Sequence, residues 1–135
     1  MSFETLHNVH RARFDTQVAV PNGYLVVYDN RTIDVPEDSL WLQWSVIEGA
    51  RTKVQQGEGA GGTFRTSGVC KANIFMPIEK GDREALEAAD FIKTSFQAVT
   101  DSGVVYRAPY IGSGRREGKW WIVTVTCPWF FDEIT

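Results

Sequence analysis

Apolar positions along the chain recur with two different periods, and the switch between them divides it into elements. Phe3, Leu6, His10 and Phe14 fall at steps of three and four, which predicts an amphipathic helix over residues 2–18 with Ser2 placed to cap it. Pro21, Asn22 and Gly23 then predict a turn. Residues 24–28 form a short β-rich run closed by Asp29 and Asn30, and residues 36–39 form a second turn. Residues 40–48, LWLQWSVIE, predict a strong strand. Its apolar side chains occupy both alternation phases, Leu40, Leu42, Trp44 and Val46 against Trp41 and Ile47, so both of its faces need cover.

Residues 49–68 hold six of the twelve glycines and show no hydrophobic period, which predicts a long loop or a flexible hairpin arm centred on residues 50–65. Residues 68–78 read as a strand ending at Pro77. A helix follows from Gly81–Asp82 to about Gln97, with a stripe of Leu86, Ala89, Ile92 and Phe96, acids early and Lys93 late as the helix dipole favours. Residues 104–111 form a strand, residues 112–118 a hairpin loop and residues 120–131 the last and strongest strand. Pro128 within that last strand argues for an edge position or a bulge. The order α-β-β-β-α-β-β predicts one α+β domain over residues 1–135: a mainly antiparallel sheet of about five strands with two helices packed on one face. No helix remains for the second, aromatic face, so that face or the strand edges should be covered by another subunit.

Composition sharpens this picture. The chain has 135 residues, 43% apolar and 13% aromatic, enough for one real core and too little for two. It has no run of eighteen apolar residues, so a membrane partner is not expected. Its opening residues do not read as a secretory signal. Cys70 and Cys127 lie far apart in sequence with no Cys-x-x-Cys pattern, which excludes a disulfide framework and a four-thiolate zinc site and predicts buried, reduced thiols.

The net charge of −3 disfavours a free-standing nucleic-acid binder. That charge is unevenly spread. Residues 29–48 carry one base against five acids and residues 79–101 three bases against six, whereas residues 49–71 carry four bases against one acid. The basic stretch coincides with the glycine-rich one.

Candidate chemistry is sparse. Gly57, Gly59 and Gly62 match G-x-G-x-x-G, but a dinucleotide loop must open a helix, and here residues 63–66 lead into a strand. His7 and His10 could reach one metal, yet only Glu4 offers a third ligand at helical spacing, and His10 belongs to the apolar stripe. Glu79, Asp82, Glu84, Glu87 and Asp90 fit a solvated helix start and outer face. There is no nucleophile elbow, P-loop or His-Glu-x-x-His motif, and both histidines lie far in sequence from either cysteine. Neither an enzymatic activity nor a cofactor is expected. Arg51, Lys53 and Arg65 flank the glycine stretch, and Arg115, Arg116 and Lys119 flank the second loop. Each set suits either phosphate or an acidic protein surface.

The order of these features over nearly the whole chain resembles the tail-terminator-like proteins of long-tailed bacteriophages. The features are the N-terminal helix, the β run closing at Val27-Tyr28-Asp29-Asn30, the Pro turn before a Trp-rich strand and the glycine-rich insertion. They continue with Gly68-Val69-Cys70-Lys71-Ala72, the helix carrying Ala88-Ala89-Asp90-Phe91-Ile92, Val105-Tyr106-Arg107-Ala108-Pro109 and the closing aromatic strand.

The resemblance implies a virion protein assembled in the host cytoplasm. It implies a hexameric ring on the head-proximal end of the tail tube, where it stops tube polymerisation and presents a surface to a head-completion or stopper protein. DNA would pass through its lumen without sequence readout. The contacts expected of such a ring are Trp41, Trp44, Trp120 and Trp121 on the strands, Arg51, Lys53, Gly59, Gly61, Gly62 and Arg65 on the arm, and Arg115 and Arg116 on the second loop. Another neck protein, a connector or stopper, fits the same features. So does an α+β domain whose aromatic face lines a ligand pocket. A ring would favour the neck readings, and a monomer with a deep apolar cavity would favour the last.

Overall fold

The computed structural model describes residues 2–29, 31–56 and 62–134, and in it one mixed sheet carries the helices on a single face. Helix α1 spans Phe3–Phe14, with the Ser2 hydroxyl accepting from the Thr5 amide at 3.1 Å. It does not stop at residue 18. A π-helical turn, Asp15–Ala19, and a last helical turn α2, Val20–Asn22, carry it to Gly23, whose left-handed φ of +67° ends it. Pro21 is tolerated because it sits in the first turn of α2, where an amide is orphaned anyway. Leu6, His10, Phe14 and Val18 are buried along this rod, whereas Phe3 is 65% exposed.

The strands are β1 (Val26–Tyr28), β2 (Trp41–Gln56), β3 (Gly62–Pro77), β4 (Thr100–Asp101), β5 (Val104–Tyr106), β6 (Tyr110–Ile111), β7 (Arg115–Glu117) and β8 (Trp120–Ile134), with helix α3 at Arg83–Phe96. The sheet order is β1-β2-β3-β8-β5-β4, and β6 and β7 also pair with β8. The expectation of about five mainly antiparallel strands is therefore wrong. Eight strands lie among the described residues, and β1 runs parallel to β2.

The reasons for the difference are local. The connection from β1 to β2 is long enough to bring the chain back to the same end, which a tight hairpin is not. The strand expected over residues 104–111 is interrupted between β5 and β6, a stretch that includes Pro109 and its missing amide hydrogen. Strand β7 lies inside the expected loop, because all three of its residues are exposed and leave no alternation to read. Strand β4 is two residues long and has no pattern of its own.

Pro128 lies inside β8 in unbroken register with Val69. Its carbonyl accepts from the Arg107 amide at 2.9 Å, on the side where the neighbouring strand is interrupted. The ring therefore removes a donor where no ladder partner waits for it, a local edge within a central strand.

The core lies between the helices and one sheet face. Trp44 stacks on Phe14 (4.1 Å, 15°) and leans on Phe96 at 5.4 Å, while Phe96 meets Tyr106 edge-on at 5.0 Å. Burying each such side chain is worth about 1.5–3 kcal/mol. In α3 the buried stripe is Ala85, Ala88, Ala89, Ile92 and Phe96, and Leu86 is 42% exposed. Alanines allow the helix to lie close on the sheet, so the expected stripe is rotated. Arg13 fastens α1 to the end of α3: both its Nε and a terminal nitrogen donate to the Ser95 carbonyl, and the other terminal nitrogen meets Asp101 at 3.3 Å. Cys70 and Cys127, distant in sequence, face each other across β3 and β8 with no exposure.

Candidate interaction surfaces

The second sheet face is built by the side chains that alternate away from the core. Trp41 stacks on Phe75 at 4.0 Å, and Trp120 stands edge-on to both at 5.9 and 6.3 Å. Each ring is half-buried by the others, and no described helix covers them. Beside this cluster a chain of side-chain hydrogen bonds crosses the sheet. Arg115 donates to Thr124 at 3.1 Å, Thr124 to Asn73 at 2.7 Å, and Asn73 to Gln43 at 3.1 Å. Trp44 and Trp121 lie on the other side. Trp44 is 2% exposed inside the core, and Trp121 packs against the core edge.

The basic, glycine-rich stretch is a hairpin. Strands β2 and β3 run on past the sheet body, with register shifts between Glu48 and Arg51 and between Lys53 and Gln55. The end of β8 continues beside them, pairing Thr63 with Ile134 and Arg65 with Asp132. Arg65 grips Asp132 through two nitrogens at 2.7 and 2.9 Å and lies over the Phe130 ring at 4.2 Å; that hydrogen bonding holds the Asp132 carboxyl below its usual range. Arg51 lies over Phe64 at 4.6 Å and 3.7 Å from Glu133. Lys53 is exposed and 5.9 Å from the same ring. The support that β8 gives to the hairpin was not legible, because the polar residues that open the final 132–135 segment end the apolar run. Gly59 and Gly61 lie outside the described residues. Gly62 opens β3, so a strand stands where a nucleotide loop would need a helix.

The two basic groups are not one patch. Arg65 is level with Asp132 on β8 and Arg115 with Ile122, so roughly 30 Å of strand separates them. Arg116 lines a cleft of about 340 Å³ with Trp121, Ile78, Glu79 and Asp82. Lys119 reaches Glu37 at 4.0 Å.

The remaining candidates for chemistry diverge. The His7 Nε2 lies 2.7 Å from a Glu48 oxygen at the surface, whereas His10 is buried, with its Nδ1 2.8 Å from the Tyr106 hydroxyl and its ring 4.4 Å from Trp129. Burial pushes the His10 pKa down to about 4, His7 adds to the shift, and Asp101 opposes it. Burial pushes the Cys127 thiol up to about 12 and Cys70 well above its usual value, so neither supplies a thiolate near neutrality. Glu79, Asp82, Glu84, Glu87 and Asp90 are all exposed. Among the described residues no group of three or more His, Cys, Asp or Glu could hold a metal ion, and no helix is long and apolar enough to cross a membrane. Sequence reasoning did not single out Tyr110, 59% exposed with Ile111 beside it at 49% on the β6 edge.

Comparison with known proteins adds a family. A family profile described as phage tail terminator protein matches residues 5–129, nearly the whole sheet and its helices. A solved structure with 19% sequence identity superposes with a TM-score of 0.66, covering 96% of this chain and 96% of its own, which is a likeness of fold. No curated protein matches the chain.

Proposed function

The chain belongs to the phage tail terminator protein family, a structural component of the phage tail, and from that premise we propose that it caps the head-proximal end of the tail tube as a ring of six subunits. The ring stops further addition of tube protein and offers a docking surface to a head-completion or stopper protein. One side of the ring matches the last tube layer and the other rejects another one, so the work is done by surface complementarity and involves no bond chemistry. DNA passes through the lumen without sequence-specific contact, in keeping with a net charge of −3. Assembly takes place in the host cytoplasm.

The observation that carries this reading is the family match over residues 5–129. The half-covered aromatic face bearing Trp41, Phe75 and Trp120 supports it, because a lone subunit has little use for it. The β2–β3 hairpin extends as an arm toward a neighbour or the tube, with Arg51 and Lys53 meeting acidic segments at 29–48 or 79–101 of the next subunit.

Electron microscopy of tails made with and without the protein tests the proposal. Capped tubes of uniform length, lost when the protein is omitted, are expected. A tail reconstruction with the protein absent from the neck would overturn it. Deleting residues 55–62 should leave the melting temperature nearly unchanged and abolish binding to tubes. A large loss of stability would assign that segment to the core instead.

A further inference from the structure

The open face of the sheet and the outer face of α3 carry opposite charge. Lys71 turns to the open face because its neighbours Cys70 and Ala72 are buried on the other. Arg107 joins it over the Phe130 ring at 4.8 Å, and Arg115 through its bond to Thr124. With Arg65 these make four bases against Asp132 and Glu117, a net of +2. Among the described residues neither Lys71 nor Arg107 has an acidic partner. The half-buried rings of Trp41, Phe75 and Trp120 close one end of the same face.

Helix α3 and its cap hold Asp82, Glu84, Glu87 and Asp90 against Arg83 and Lys93, a net of −2, and all six are exposed. Arg83 is tied to Glu87 at 3.2 Å, which leaves Glu84 and Asp90 without a basic partner among the described residues. At about 3.6 residues per turn, Leu86 and Phe91 flank these acids on either side, 42% and 45% exposed where a solvated helix would carry polar side chains. The dimensions agree. Arg115 is level with Ile122, Lys71 with Thr126, and the Arg107 guanidinium lies over Phe130, so the three bases span roughly 26 Å of β8. Helix α3, with 14 residues, is about 21 Å long.

We propose that α3 of one copy packs on the open sheet face of a second copy, its acids against Lys71, Arg107 and Arg115 and its Leu86 and Phe91 against the half-covered aromatics. A sheet that is apolar on both faces is then covered on both, by its own helices and by a neighbour's. Two open faces laid together would instead oppose like charges. A phosphate backbone would match the bases and leave the Trp41–Phe75–Trp120 stack uncovered. The two patches differ and lie on opposite sides of one subunit, so the contact propagates head to tail until a ring closes. This inference rests on the ring reading above and adds to it the surfaces through which neighbouring subunits join. It assigns the acids of α3 to the sheet face and leaves the acidic segment at 29–48 to the arm.

The test is charge reversal in the full chain on tail tubes, read by electron microscopy as tube occupancy, with the melting temperature followed in parallel. Glu84→Lys with Asp90→Lys reverses the helix face, and Lys71→Glu with Arg107→Glu reverses the sheet face. Each pair should lower occupancy about tenfold, and one chain carrying all four substitutions should recover most of it. Glu84, Asp90 and Arg107 are exposed, so the helix pair and Arg107→Glu alone should keep the melting temperature and still lower occupancy, whatever Lys71→Glu does to stability. Wild-type rings on tubes, with both pairs at full occupancy, would overturn the inference and leave the ring standing. Loss from the sheet pair alone, or no recovery in the combined chain, would overturn it in favour of another occupant. Duplex DNA bound by the wild type and released by the sheet pair would identify that occupant. Absence of wild-type rings would sink the ring reading and this inference with it.

Discussion

Acidification should destabilise this protein through His10. The imidazole is completely buried, with the Tyr106 hydroxyl on Nδ1, no partner on Nε2 and the Trp129 ring against it. Protonation would place a charge in that pocket, and the folded-state pKa falls from 6.5 to about 4. The unfolded chain keeps the ordinary value, so between these two pH values the unfolded state binds the proton more readily. The contribution is fully present above pH 6.5, is lost as the pH falls toward 4, and changes no further below that. The size of the loss follows from the shift at 1.36 kcal/mol per unit, about 3 kcal/mol. Urea unfolding from pH 7.5 to 4 measures it, compared with His10→Phe, which fills the pocket and does not titrate. The wild-type stability should fall by about 3 kcal/mol more than that of the variant over this range. Parallel loss in both proteins would refute the reasoning and move the acid sensitivity to the carboxylates.

Four further outcomes are expected. Trp44→Ala should cost about 3–5 kcal/mol in urea unfolding because it empties a site between Phe14 and Phe96. Trp41→Ala, which removes one half-buried stack on Phe75, should cost only about 1–2 kcal/mol; equal losses would show the two faces to be equally structural. Gly68→Ala should lose about 3 kcal/mol and most soluble yield, because a Cβ there would stand 2.2 Å from the Ile47 carbonyl oxygen and 2.9 Å from the Trp129 ring. Fluorescence anisotropy should detect no affinity for duplex DNA at physiological salt. Tight, salt-sensitive binding that is lost on charge reversal at Arg51 and Lys53 would reassign the arm to DNA.

Elements with a strong period of their own were legible in the sequence. Leu6, His10 and Phe14 repeat at helical spacing, and the alternation through Cys70, Ala72, Ile74 and Met76 marks the face that the helices bury. What only the tertiary structure decided depends on partners remote in the chain. Pairing with β8 turns the exposed triplet Arg115–Glu117 into a strand, and β8 runs beside the described part of the glycine-rich hairpin as far as Thr63. The parallel course of β1 depends on where a patternless connection returns, and periodicity is silent on that. Trp41 and Trp44 lie three residues apart in one strand, in opposite alternation phases. Strand geometry sends them to opposite faces, one to Phe75 in the open cluster and one into the core, and only the placement of α1 and α3 determines which face is closed.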